Sequence, residues 1–268
     1  MQETPARSLL MLLSVALVCS VLVSVSAITL RPIQLNNELI ERYRNIVALT
    51  GLVATDQVLD DDEILDVVEG LDIRVVNLTT GAFEPDIDPA SVDSREAVND
   101  PALSVAVPAD VDIARVGRRA IHEVIFLVWG DKGLSRVIFP IYGQGMWSRL
   151  SGYLALEADL NTIAAVTFYE QAETAGLGDQ IESPGWQARW VGRRLFGPRG
   201  DLRFRIAAGA VDEGTPAAAY EVDGLSGATV TSGAVSNLVR YWFGEHGFGP
   251  VLANLESRPP TRPGSSRD

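Results

Sequence analysis

The hydroxyl best placed for chemistry is that of Thr229, in the run Asp223-Gly224-Leu225-Ser226-Gly227-Ala228-Thr229-Val230-Thr231. Beyond it, Val235, Leu238, Val239 and Trp242 recur at helical spacing, which predicts an amphipathic helix over Ser232 to Phe243. Gly244 or Gly247 can stop it. Ser226, Thr229 and Thr231 then lie at or just ahead of a helix N-terminus, where free N–H groups and the positive end of the macrodipole favour an anion. A phosphodiester suits such a place, with the threonine oxygen as its attachment point. Ser, Thr and Gly ahead of a helix are also ordinary capping and turn residues, so the run alone leaves both uses open.

A second constellation is Glu170-Gln171-Ala172-Glu173-Thr174-Ala175-Gly176-Leu177-Gly178, which leaves a strand-like segment and enters a glycine-rich loop. Glycines let backbone approach a flat ligand, and Glu173 and Thr174 can hydrogen-bond a heteroaromatic edge or cap the next turn. A third is Gly143-Gln144-Gly145-Met146-Trp147-Ser148, where Trp147 can lie against an aromatic ring or pack into a core.

The string D-G-x-S-G-A-T-x-T resembles the flavin-attachment motif of FMN-binding domains in respiratory membrane complexes. Glu173 to Gly178 is similar to that family's E-T-P-G-L-G loop, with Ala175 where Pro is usual. Gly145-Met146-Trp147-Ser148, Pro184 to Gly192 and Phe243 to Pro250 are similar to blocks of the NqrC family, which supplies one subunit of sodium-translocating NADH:quinone reductases. The resemblance implies FMN held covalently by a phosphoester to Thr229, with Ser226, Gly227, Ala228, Thr231, Glu173, Thr174, Leu177, Gly178 and Trp147 around it. It further implies electron relay toward quinone beside the other subunits of a sodium-pumping membrane complex, not catalysis by this chain alone. A separate flavin transferase would use FAD as donor, with the threonine oxygen attacking the phosphate and AMP leaving. Two alternatives stay open: the RnfG family of flavoproteins from Rnf electron-transport complexes, which shares both patterns, and a non-redox, membrane-anchored binding domain whose S-G-A-T merely caps a helix.

Composition narrows the partners. Acids outnumber bases 35 to 22, for a formal charge of −13, which argues against a nucleic-acid surface. Neither of the two histidines sits at metal-ligand spacing, so no metal site is expected. No G-x-G-x-x-G fingerprint precedes a helix, which argues against binding of NADH by this chain.

These residues need an anchor and a scaffold. Ser8 to Leu30 carries no charged side chain and is bracketed by Arg7 and Arg31, long enough to cross about 30 Å of hydrocarbon as a helix. A cleaved signal peptide competes, with Val25-Ser26-Ala27 at cleavage spacing, but the run exceeds the usual apolar region of roughly 7–15 residues and favours an uncleaved anchor. Basic residues do not fix the orientation, since Arg31, Arg42 and Arg44 follow the span. The resemblance implies a bacterial inner-membrane protein with its soluble domain in the periplasm.

Asn36 to Gly51 reads as a helix, and Asp60-x-x-Glu63 as the capped start of a shorter one. Strand-like runs follow at Ile73–Leu78, Glu123–Trp129, Arg136–Phe139, Ser151–Leu156, Thr162–Tyr169 and Leu202–Ile206, separated by short turns. Asp86 to Pro108 reads as an irregular insertion. The expectation is an α+β chain: one N-terminal transmembrane helix, then a mainly antiparallel-sheet FMN-binding domain with packed helices. Its expected divisions are a flank at 1–7, the span at 8–30, a helical linker at 31–70, the domain at 71–256 and a disordered tail at 257–268.

Overall fold

The computed structural model describes residues 5–54 and 57–263, apart from the side chains of residues 6, 7 and 35. The chain divides into two compact units, 1–44 and 45–268. The first unit is carried by helix α1 (Pro5–Thr50), which continues into the second. Its apolar stretch has a mean hydropathy of 2.6 with none of it buried, as a lipid-facing span requires. Where the sequence suggested a new helix at Asn36, the helix runs on through Pro32. A proline removes one donor and kinks or strains a helix without always ending it. Gly51, at φ +68°, stops it in the left-handed conformation expected of a C-terminal glycine.

In the second unit, the Arg136 guanidinium donates to the carbonyl of Leu49 at 2.9 Å, setting a cation on the carbonyl end of α1. Helix α2 (Asp61–Glu69) starts on a complete capping box. Glu63 N–H donates to Asp60 at 2.9 Å and Asp60 N–H to the Glu63 carboxylate at 2.9 Å, as the D-x-x-E spacing implied.

The scaffold is a five-stranded antiparallel sheet. Its strands are β1 (Asp72–Asn77), β4 (His122–Gly130), β5 (Gly133–Gln144), β6 (Arg149–Glu157) and β7 (Ile163–Glu170), and they lie side by side in that order. Strands β4 to β7 follow as a meander because their connections are short turns. The expected insertion is only partly irregular: it holds helix α3 (Ser94–Ala97) and strand β2 (Ser104–Ala106), which pairs with β3 (Arg118–Ala120). The run Leu202–Ile206 does not join the main sheet. Only Arg205–Ile206 forms a strand, β8, paired in parallel with β9 (Glu221–Val222), while Leu202 bridges to Phe196.

Helix α4 (Pro184–Gln187), helix α5 (Thr229–Trp242) and helix α6 (Gly249–Ser257) complete the domain. The stripe Val235, Leu238, Val239 and Trp242 is buried, as its spacing predicted. Trp242 stacks obliquely on Tyr142 at 4.5 Å between ring centroids and donates its Nε1–H to the Tyr142 carbonyl at 2.6 Å. Phe139 meets Phe243 at 5.4 Å and Phe248 at 4.9 Å. Each such ring contributes about 1.5–3 kcal/mol of burial, so α5 is fixed in register on β5. Past Ser257 the chain still makes contacts, since the Thr261 carbonyl accepts from Arg74 at 2.8 Å. Residues 264–268 of the expected tail lie outside the described residues.

Candidate functional site

Glu173 organises the site. It lies in the loop leaving β7, and its carboxylate accepts backbone N–H groups from Met146 (3.2 Å), Trp147 (3.0 Å) and Ser148 (3.4 Å) in the β5–β6 connection. The Thr231 hydroxyl, in the first turn of α5, donates to it at 2.5 Å. Burial alone would raise the pKa of this group, but the Thr231 hydroxyl and the three N–H donors outweigh it and hold the carboxyl below its usual value. Both oxygens are thus committed within the protein, and at 8% exposure Glu173 serves as the tie between three loops.

The glycines around it are explained by this packing. A Cβ on Gly178 would lie 2.8 Å from both Glu173 Cβ and Thr231 Oγ1, and one on Gly145 would lie 2.6 Å from Glu173 Oε1. The sequence suggested that the glycines of the Glu173 loop let backbone approach a ligand; Gly178, like Gly145 in the β5–β6 connection, makes room for the Glu173 side chain. Gly227 differs, because it needs its φ of +76° and also leaves room for Leu177, whose Cδ2 would stand 2.9 Å from an added Cβ. Leu177 is thereby set beside the S-G-A-T run.

Trp147 stands out from the surface, 66% exposed. Its indole N–H donates to Thr174 Oγ1 at 3.2 Å, and the Thr174 carbonyl accepts from Leu177 N–H at 3.1 Å and Gly178 N–H at 3.0 Å. The core-packing use of Trp147 is therefore not the one adopted. Met146, Leu177 and Val230 are also exposed, so large apolar side chains face solvent on the elements that the Glu173 tie assembles.

Helix α5 begins at Thr229, three residues before the predicted start at Ser232, with Ala228 in the N-cap position and no side chain capping it. The hydroxyls of the run divide in two. Thr231 is bound to Glu173, and Ser232 Oγ accepts from Leu225 N–H at 3.0 Å. Ser226 and Thr229 are exposed, beside the exposed Gly227 and the buried Ala228. No hydrogen bond among the described residues engages the Thr229 hydroxyl, so the capping use of that residue is not realised. Upstream, Asp223 is held by Arg189 and by Val211 N–H at 2.6 Å, and its carbonyl accepts from Trp186 Nε1–H at 2.8 Å.

Sequence reasoning missed the support beneath these loops. Ser148 Oγ accepts from Ala172 N–H at 2.6 Å, and Glu170 accepts from Ser151 Oγ at 2.6 Å and pairs with Arg95 of α3. Nothing local marked Arg95, which lies 75 residues before its partner. The arrangement fits a phosphate-bearing, flat aromatic group: uncapped N–H groups and a free hydroxyl at a helix start suit the phosphate, and exposed Trp147 and Leu177 suit a ring.

Residues 145–244, which include Trp147, the Glu173 loop and the start of α5 but not Arg95, match the FMN-binding domain family. The NqrC subunit of the Na(+)-translocating NADH-quinone reductase from Pseudomonas aeruginosa is 42% identical over 255 residues, covering 95% of this chain and 97% of that one. The corresponding Yersinia pestis subunit is 39% identical, covering 94% of each. The crystal structure of Shewanella oneidensis NqrC superposes with a TM-score of 0.73 at 34% identity, over 83% of this chain and 98% of that one. The crystal structure of the same reductase subunit from Parabacteroides distasonis, at 22% identity and a TM-score of 0.60 over 87% of this chain and 98% of that one, shares the fold. A capped, redox-inert binding domain does not account for this likeness along nearly the whole chain, and the chain belongs to the NqrC family of sodium-translocating NADH-quinone reductase subunits.

Proposed function

We propose that this chain carries FMN through a phosphoester on Thr229 and relays electrons toward quinone within its complex. Family membership makes it an FMN-binding, electron-transferring subunit of a multisubunit oxidoreductase; the covalent link and the direction of relay are the proposed parts. The observation that carries the link is the sorting of hydroxyls: Thr231 and Ser232 are bound inward, while Thr229 is exposed on the uncapped first turn of α5.

The backbone of Ser226, Gly227 and Ala228 would frame the phosphate. Trp147 and Leu177 would flank the ring, with Thr174 fixing the indole and Glu173, Gly178 and Thr231 holding the loops in place. FMN supplies transfer of one or two electrons when bound. Thr229 acts as a tether and takes no part as an acid or base. Attachment keeps a flavin local on a shallow surface, because tethering raises effective concentration. A separate transferase would deliver the group from FAD, the Thr229 oxygen forming the new bond to phosphorus as AMP leaves.

The apolar part of α1 is proposed to anchor the chain in the inner membrane with the domain on the periplasmic side, since long domains translocate largely regardless of flanking charge. Co-expression of the full chain with the transferase tests the tether. Intact mass should rise by one FMN phosphoester, localised to the peptide containing Thr229, and Thr229→Val should lose both the mass and the in-gel fluorescence. Full fluorescence in that variant would refute the assignment.

A further inference from the structure

Buried side chains from four elements meet around Tyr142. Arg119 of β3, Glu123 of β4, Tyr142 of β5 and Tyr241 of α5 are each 7% exposed or less. Each has a buried polar atom with no hydrogen-bond partner among the described residues: Arg119 Nη1, Glu123 Oε2, Tyr142 Oη and Tyr241 Oη. Tyr142 lies within electrostatic reach of all the others and of Arg149. The Arg149 guanidinium covers the Tyr142 ring at 4.1 Å from its centroid. Tyr241 Oη sits beside the Arg119 guanidinium without a well-formed hydrogen bond to it.

Folded proteins leave few buried polar atoms unmatched, and four in one neighbourhood call for a shared partner. A metal cation is opposed by two guanidinium groups, and an anion by the Glu123 carboxylate. Water both donates and accepts, and so can serve hydroxyl, carboxyl and guanidinium together. We propose that Arg119, Glu123, Tyr142 and Tyr241 enclose an internal water site, with Glu123 as the group there that takes up and releases a proton.

Burial pushes Glu123 up to about 7, against the lowering pull of Val124 N–H, Ser94 and Arg149, while Asp93 adds to the rise. Asp93 and Ser94 border it from the α3 side, Tyr142 from β5 and Arg149 from β6. Burial also holds Tyr142 far above its ordinary value and Tyr241 at about 12, so both phenols keep their protons and can donate. On release, the Glu123 O–H bond breaks, the proton passes to water and on to solvent, and the carboxylate gains water and hydroxyl donors. Arg149, which feels this charge, donates to Ser151 Oγ at 3.3 Å and lies two residues beyond Trp147.

Infrared difference spectroscopy of the full chain in detergent tests the site, comparing acidic with alkaline samples. A protonated-carboxyl carbonyl band should vanish with a midpoint near 7, be absent in Glu123→Gln, and be accompanied by a bound-water band that shifts in heavy-oxygen water. Arg149→Gln and Tyr142→Phe, each removing support for the carboxylate, should raise the midpoint. The site is refuted if the carbonyl band is missing or survives Glu123→Gln, if no water band follows the titration, or if neither of the other two variants moves the midpoint. These two variants decide the matter even where Glu123→Gln fails to fold.

Discussion

Thr231 Oγ1 donates to Glu173 Oε2 at 2.5 Å, and this one bond joins the first turn of α5 to the loop leaving β7 across 58 residues of sequence. A hydrogen bond to a buried charged acceptor is worth about 1.5–3 kcal/mol. Thr231→Val, of nearly the same shape, should lower the free energy of unfolding in urea by about that amount, whereas Thr231→Ser should retain most of it. A larger loss in Thr231→Ser than in Thr231→Val would show that the methyl group, not the hydroxyl, matters at this position.

The same contact sets a pH dependence. Glu173 is held below its ordinary value of 4.5 in the folded protein, so the unfolded chain binds the proton more readily in that window. Its contribution is complete above the unfolded value and is lost as pH falls through the lower folded one. Glu173→Gln should therefore be less stable than the parent at neutral pH, with the gap closing on acidification. Glu123 has the opposite sign: raised to about 7, it favours the folded state most below 4.5 and loses that advantage as pH climbs to about 7. Thermal unfolding of both glutamine variants across pH separates the two slopes.

Two glycines make a matched test of close packing. At Gly178 an added Cβ would press on Glu173 and Thr231 at 2.8 Å, whereas at Gly233, inside α5, it would meet nothing within 4 Å. Gly178→Ala should destabilise by about 1–3 kcal/mol through overpacking, and reduce the proposed FMN attachment because the loops part. Gly233→Ala should stabilise by roughly 0.5–1 kcal/mol by restricting the unfolded chain. Denaturant midpoints, read beside in-gel fluorescence, check both.

What was legible in the sequence follows from how far apart the partners are. The Asp60–Glu63 capping box and the buried stripe of α5 are local patterns, and both appear as expected. The antiparallel meander β4 to β7 was legible because short turns leave few other pairings. The run Leu202–Ile206 misled because β8 takes its register from β9, which no local pattern reveals. Glu173 was marked as important, but its role was not, since its donors lie 25 to 58 residues away. Type and spacing identify a carboxylate; only the fold says whether its oxygens remain free for a ligand.

Ala175 stands where proline is usual in the E-T-P-G-L-G loop that Glu173 to Gly178 resembles, and the geometry indicates what a proline would do there. Leu177 N–H donates to the Thr174 carbonyl at 3.1 Å, and Gly176 has a φ of +75°. These are the closing bond and third residue of a type II turn, whose second position, occupied by Ala175, favours proline. No hydrogen bond among the described residues uses the Ala175 N–H, so proline removes no donor that the fold needs. Ala175→Pro should therefore stabilise by about 0.4–1 kcal/mol, through loss of freedom in the unfolded chain. It should also leave the bond from the Trp147 indole to Thr174 intact, so that the extent of the proposed flavin attachment is unchanged while the urea midpoint rises. A fall in both would mean that Thr174 cannot adopt the extended backbone required before proline, and that the alanine is needed by this loop.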